Sequence, residues 1–263
     1  MKKIIAMLMA LMLVMTGIAV FTACDGNNDP AETTEATTDA APQVIKMATN
    51  AYFQPYEFYA DGKIVGIDAE IAAAIAEKLG MTLEIVDMEF DSIITAVNEG
   101  SGDFGMAGMT VTEDRLKEVD FSISYANGVQ AIIVKEGSPI TCADDLYAEG
   151  ANYKVGVQLG TTGDIYATDD FGSENVTTYS NGNEAVLALL GGSIDCVIID
   201  NQPAEALVAA NAGLTILETA YANEDYAICV KKGNAELLEK INNAIMELTD
   251  DGTIQAIIDN YIK

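Results

Sequence analysis

The chain has 263 residues, half of them hydrophobic, and sets 41 acidic against 13 basic side chains for a formal charge of −28. That much apolar material supports a large core and excludes a disordered chain, while the acidic excess excludes nucleic acid and anionic headgroups, which are bound by Lys and Arg neutralising phosphate. The absence of histidine removes Ser-His-Asp and Cys-His nucleophile activation and His-ligated zinc.

In chain order, Lys2 and Lys3 precede an apolar run from Ile4 to Val20 and then Phe21-Thr22-Ala23-Cys24. This pattern reads as a signal peptide, although the run is nearly long enough to span a bilayer. Asp25 to Gln43 carries five acids, no base and almost no side chain larger than Ala that is apolar. Such a segment cannot offset its ordering entropy, so a flexible tether is expected. From Val44 short apolar runs alternate with amphipathic stretches, which predicts an α/β fold. Val44 to Thr49 is the first predicted strand. The five rings of Ala51 to Tyr59 lie in a stretch too polar and irregular for a strand, some of them core and others able to wall a pocket. Ile67, Ile71, Ile75 and Leu79 recur at four-residue steps before Gly80 and predict one helix face.

A strand from Leu83 to Met88, a helix from Ser92 to Asn98 and a strand from Phe104 to Met109 follow. Thr112 is expected to cap a helix with Glu113 and Asp114 in its first turn. After a strand from Val129 to Val134, Gly137-Ser138-Pro139 breaks the rhythm. It restarts with a helix near Ala143 to Leu146, a strand from Lys154 to Gln158, a Gly-Thr turn and two helices, the second from Glu184 to Leu190. A strand from Cys196 to Ile199, a helix from Ala204 to Ala210 and a strand from Tyr226 to Val230 come next. Two stripes end the chain, Leu237, Leu238, Ile241, Ile245 and Leu248, then Ile254, Ile257, Ile258 and Tyr261. Cys142, Cys196 and Cys229 match no metal spacing, and the last two read as small buried hydrophobes on strands.

Arg115 is the single arginine beside twelve lysines. It follows Met106-Ala-Gly-Met-Thr-Val-Thr112, a small-residue approach that lets a ligand come near the backbone, and its guanidinium can take a carboxylate bidentately. Lys154-Val-Gly-Val-Gln-Leu-Gly-Thr-Thr-Gly-Asp164 runs a strand into a helix start and is either a structural turn or an anion cradle. Asp200 ends an apolar strand, where it either caps the next helix or accepts hydrogen bonds from an ammonium group. The carboxyl ends of strands are where open α/β sheets hold ligands. Phe90 is a facing partner for the rings near Phe53.

With these residues in view the chain resembles the polar amino-acid solute-binding proteins of ABC importers, over Val44 to Lys263. The resemblance rests on Gly66-Ile-Asp-Ala-Glu-Ile71, Ala107-Gly-Met-Thr-Val-Thr-Glu-Asp-Arg115, Val119-Asp-Phe-Ser122 and Gly156-Val-Gln-Leu-Gly-Thr-Thr162. It implies a two-lobed type II fold, each lobe a mixed, mainly parallel sheet flanked by helices. Lobe 1 would be residues 44–125 with 226–263 and lobe 2 residues 126–225, joined by hinge strands near Tyr125 to Gly128 and Tyr221 to Asp225. It implies Arg115 and Thr161 on a ligand carboxylate, Asp200, Gly108 and Thr110 on the ammonium, Phe53 and Phe90 around the side chain, and Asn50 and Gln158 at its variable end. A neutral amide at Asn50 favours a neutral polar side chain, with a cationic amino acid such as arginine or lysine as the alternative. Thr22-Ala23-Cys24 resembles a bacterial lipobox (residues 1–23 the leader, 24–43 the acylated Cys24 and tether). The expected protein is a lipid-anchored monomer outside the cytoplasmic membrane, without cofactor or metal, that serves a membrane-embedded permease. Some proteins of this fold are dehydratases, for which Glu57, Glu89 or Asp200 would move the proton. A receptor's sensor module is the third reading, which a continuation past Lys263 would favour.

Overall fold

The computed structural model describes residues 43–262; the leader, Cys24 and the tether lie outside the described residues. Its elements are β1 (Val44–Thr49), β2 (Tyr52–Phe53), β3 (Glu57–Ala60), β4 (Lys63–Val65), α1 (Ile67–Lys78), β5 (Thr82–Asp87), α2 (Ile93–Glu99), β6 (Phe104–Gly105), α3 (Arg115–Glu118) and β7 (Val119–Lys135). Then come β8 (Val155–Gln158), α4 (Thr162–Phe171), β9 (Val176–Tyr179), α5 (Gly182–Gly191), β10 (Cys196–Asp200), α6 (Asn201–Ala210), β11 (Leu214–Ile216), β12 (Ala222–Lys231), α7 (Ala235–Asp250) and α8 (Thr253–Tyr261).

The main sheet runs β5-β1-β6-β12-β7-β10-β8-β9, with β11 against β7. Both flanks are parallel: β1 pairs with β5 and β6, and β8 with β10 and β9. The centre is antiparallel, because β7 and β12 run against each other from Ala222 opposite Gln130 to Lys231 opposite Val119. The two stretches expected to cross between lobes therefore hydrogen-bond to one another. This is the mixed, two-lobed α/β architecture predicted. It aims the carboxyl ends of β1 and β6 on one flank and of β8 and β10 on the other at a common space.

Ile67, Ile71 and Ile75 are fully buried, each contributing about 2 kcal/mol by removal from water; Leu79 is half-buried and Gly80 adopts positive φ after it. Ile241, Ile245 and Leu248 of α7 and Ile254 and Ile257 of α8 join the same core. Cys196 and Cys229 are buried on β10 and β12, as expected, and burial pushes both thiols up to about 12.

Several expectations are corrected. The aromatic segment does form strands, a small antiparallel sheet of β2, β3 and β4. The strand expected from Phe104 to Met109 stops at Gly105, because the chain turns at Gly108 with φ of 52°. The strand expected from Val129 is the end of a 17-residue strand that pairs with β12 from Val119 to Gln130. The helix expected at Thr112 is one turn, Arg115–Glu118, in which the Arg115 N–H donates to Thr112 Oγ1 at 3.2 Å. Ala143–Tyr147 is a 3-10 turn. Strands β9 and β11 carry no periodic apolar signal of their own and were not expected.

Candidate binding site

Fifteen residues line a cavity with about 430 Å³ of space between atoms, part of it open to solvent. All nine residues put forward from the sequence are among them: Asn50, Phe53, Phe90, Gly108, Thr110, Arg115, Gln158, Thr161 and Asp200. Topology explains the convergence. Asn50 follows β1, Gly108 and Thr110 follow β6, Gln158 ends β8 and Asp200 ends β10.

Arg115 is 7% exposed. One of its N–H groups donates to the Thr110 carbonyl at 2.6 Å and another to the Gly160 carbonyl at 3.0 Å. Two of its five donors thus fix the plane of the guanidinium, and its Cζ lies 5.3 Å from the centre of the Phe90 ring, a cation–π distance. Burial pulls its pKa down, with the nearby Glu224 charge opposing. Gly160 sits at φ of 75° against Asp91, where a Cβ would come within 3.0 Å of the Asp91 Cβ. A side chain at Gly160 would be strained at this φ and would press on Asp91, so glycine favours the turn that brings this carbonyl to Arg115.

Asp200, 5% exposed, occupies the position before α6 but its side chain does not cap that helix. Instead it accepts from Gln130 Nε2 at 2.7 Å and from the Tyr226 hydroxyl. Burial, then the Glu224 charge, pushes its pKa up to about 8. Gln130 Nε2 also donates to Glu224 at 2.9 Å, so residues of both central strands hold the acid end. A Cβ on Gly108 would come within 2.7 Å of the Phe53 ring, and Phe53 stacks on Tyr56 with centroids 5.7 Å apart. At the far end Gln158 Nε2 donates to Asn50 Oδ1 at 2.9 Å, while Asn50 Nδ2 donates to the Met88 carbonyl at 2.8 Å. The Thr161 hydroxyl donates to the Gln158 carbonyl at 2.8 Å and accepts from the Asp164 N–H as the cap of α4. Its hydroxyl is therefore engaged locally, and what the turn offers an anion is the start of a ten-residue helix.

Of the three carboxyls considered for proton transfer, Glu57 and Asp200 line the cavity, whereas Glu89 is exposed and does not. Glu57 and Gln130 were not read as ligand contacts from the sequence, and Thr162 only as part of the Gly-Thr turn. Gln130 had a signal, the polar residue opening Ala-Ile-Ile-Val134. The buried charged residues among those described are four acids, Glu57, Asp68, Asp200 and Glu224, and one base, Arg115.

A guanidinium, a carboxyl and two aromatic rings, those of Arg115, Asp200, Phe53 and Phe90, line one cavity, the make-up of a small-molecule binding site. The model of the bacterial extracellular solute-binding proteins, family 3, matches residues 45–263, and the chain belongs to that family, which places it outside the cytoplasm. It is 31% identical over 214 residues to the L-cystine-binding protein TcyJ of Escherichia coli, covering 80% of this chain and 79% of that one. It is 42% identical to an ancestral arginine-binding protein solved with arginine, at a TM-score of 0.77 over 84% of this chain and 98% of that one. An ancestral arginine-binding protein solved with glutamine is 41% identical, at a TM-score of 0.78 over 84% and 99%.

Proposed function

We propose that the protein is a lipid-anchored receptor that captures a free L-α-amino acid and delivers it to an ABC permease. The observation that carries this reading is the placement of buried Arg115 and buried Asp200 on one cavity walled by Phe53 and Phe90. Arg115, already held by two carbonyls, would take the ligand carboxylate with its remaining N–H groups, aided by the start of α4 at Thr161. Asp200, with the Gly108 carbonyl and Thr110 hydroxyl, would take the ammonium, whose charge ionises it.

The paired amides of Asn50 and Gln158 suit a neutral polar side chain. A cationic side chain is the second reading, favoured by Glu57, both of whose oxygens are buried without a hydrogen-bond partner. Residues 44–125 with 226–263 would close against residues 126–225 about the paired segments Ala126–Gln130 and Ala222–Tyr226. The protein would act as a monomer, acylated at Cys24, with no catalytic step. Calorimetry of the purified protein against the twenty amino acids tests the reading: one or more should bind below about 100 μM, and none doing so would sink it.

A further inference from the structure

Glu57 opens β3 and Asp68 is the second residue of α1; both are 0% exposed. Their carboxyls face each other. Three of their four oxygens, Glu57 Oε1, Glu57 Oε2 and Asp68 Oδ1, are buried without a hydrogen-bond partner. The fourth, Asp68 Oδ2, accepts from the Gly108 N–H and the Tyr125 hydroxyl, both at 2.8 Å. Two carboxylates cannot hydrogen-bond to each other, because each only accepts. A carboxylic acid against a carboxylate can.

The hydrogen bonds decide which partner is which. Asp68 has two donors to support a negative charge, and Glu57 has none among the described residues. The titratable groups that act on Glu57 are all acids, Asp68 from α1, Asp200 from β10 and Asp87 from β5, with the phenols of Tyr56 and Tyr125 acting on the same cluster. Burial and the Asp68 charge hold Glu57 well above the usual carboxylate range.

We propose that Glu57 keeps a proton shared with Asp68, meets the ligand as a neutral acid, and releases that proton only to a ligand whose side chain brings its own positive charge. The ligand half of this inference rests on the amino-acid reading above; the proton half rests on the cavity wall alone. In the neutral form the Glu57 hydroxyl donates to Asp68 Oδ1, and its carbonyl oxygen is left as an acceptor for an amide or hydroxyl. A guanidinium or ammonium group takes the proton's place, the proton passes to buffer, and the wall keeps one net negative charge. The pair thus weighs neutral against cationic side chains by proton activity. Asp68, by fixing the Gly108 peptide, is a positioning residue.

Infrared spectroscopy of the full chain at pH 7 should detect a protonated-carboxyl carbonyl stretch that loses intensity in Glu57→Gln, a near-isostere of the acid. Asp200→Asn separates out the Asp200 contribution. No such band in the unaltered protein, or one undiminished in Glu57→Gln, overturns the proposal. Calorimetry in buffers of different ionisation enthalpy should find that arginine releases about one proton more than glutamine, with the arginine-to-glutamine affinity ratio rising about tenfold per pH unit. Both differences should vanish in Glu57→Gln. Equal proton release by the two amino acids in the unaltered protein also overturns it. If none of the twenty amino acids binds, the receptor reading fails while the infrared result still decides the pair.

Discussion

The two ends of the cavity are built on opposite economies of charge. At one end a single guanidinium is pinned by the Thr110 and Gly160 carbonyls, and no lysine is buried anywhere among the described residues. At the other, Asp200 and Glu57 line the cavity with Asp68 beside Glu57, and the two N–H groups of the Gln130 amide serve both Asp200 and Glu224. The cationic end has no substitute, whereas the acidic end is redundant and holds more potential charge than it can ionise.

If that contrast is right, Arg115→Ala has the largest effect. It should weaken every amino acid alike by at least about 100-fold, since stripping one partner from a buried ion pair costs about 3–5 kcal/mol, and equal Kd values by calorimetry would break the comparison. Asp200→Asn should cost less, about 10-fold to 50-fold, because Gly108, Thr110 and the neighbouring acids still accept from an ammonium. A loss as large as that of Arg115→Ala would deny the redundancy.

Third, the acidic end should weaken the free protein as pH rises. Folding raises the Asp200 pKa to about 8 and that of Asp68 to about 6, so the unfolded chain gives up these protons first. Their stabilising contribution is complete below about pH 4 and lost as pH climbs through 6 to 8. Denaturant unfolding between pH 5 and 9 should show that slope, and it should be shallower in Asp200→Asn. The smallest change is expected from Phe90→Leu, about 3-fold to 10-fold in affinity through lost ring contact; no change at all would remove Phe90 from the ligand's walls.

Much of this was legible in the sequence, for reasons that differ by residue. Helix α1 is written in four-residue steps closed by a glycine. Asp200 could be found because it is the polar residue where an apolar strand stops, whereas Gln158 and Asn50 were reached through the family resemblance. The small sheet of β2, β3 and β4 was not legible: strands of two to four residues with exposed tips carry too little alternation. Strand β9 has no buried residue, so burial left no mark on its composition. The first part of β7 is concealed because burial does not alternate along it: Ile123, Ser124 and Asn127 are exposed between buried Ser122, Tyr125 and Gly128. The meeting of Glu57 and Asp68 is a tertiary event. Nothing about a Glu and an Asp eleven positions apart announces that one chain turn will press them together out of water.

The state of the thiols has a practical reach. Cys196 and Cys229 are sealed in the sheet with their ionisation suppressed, and Cys142 at the 3-10 turn is the one cysteine among the described residues that is not buried. With no exchange of residues, a maleimide dye should therefore settle on Cys142 among the three cysteines of residues 43–262. The protein comes with its own attachment point for a single dye.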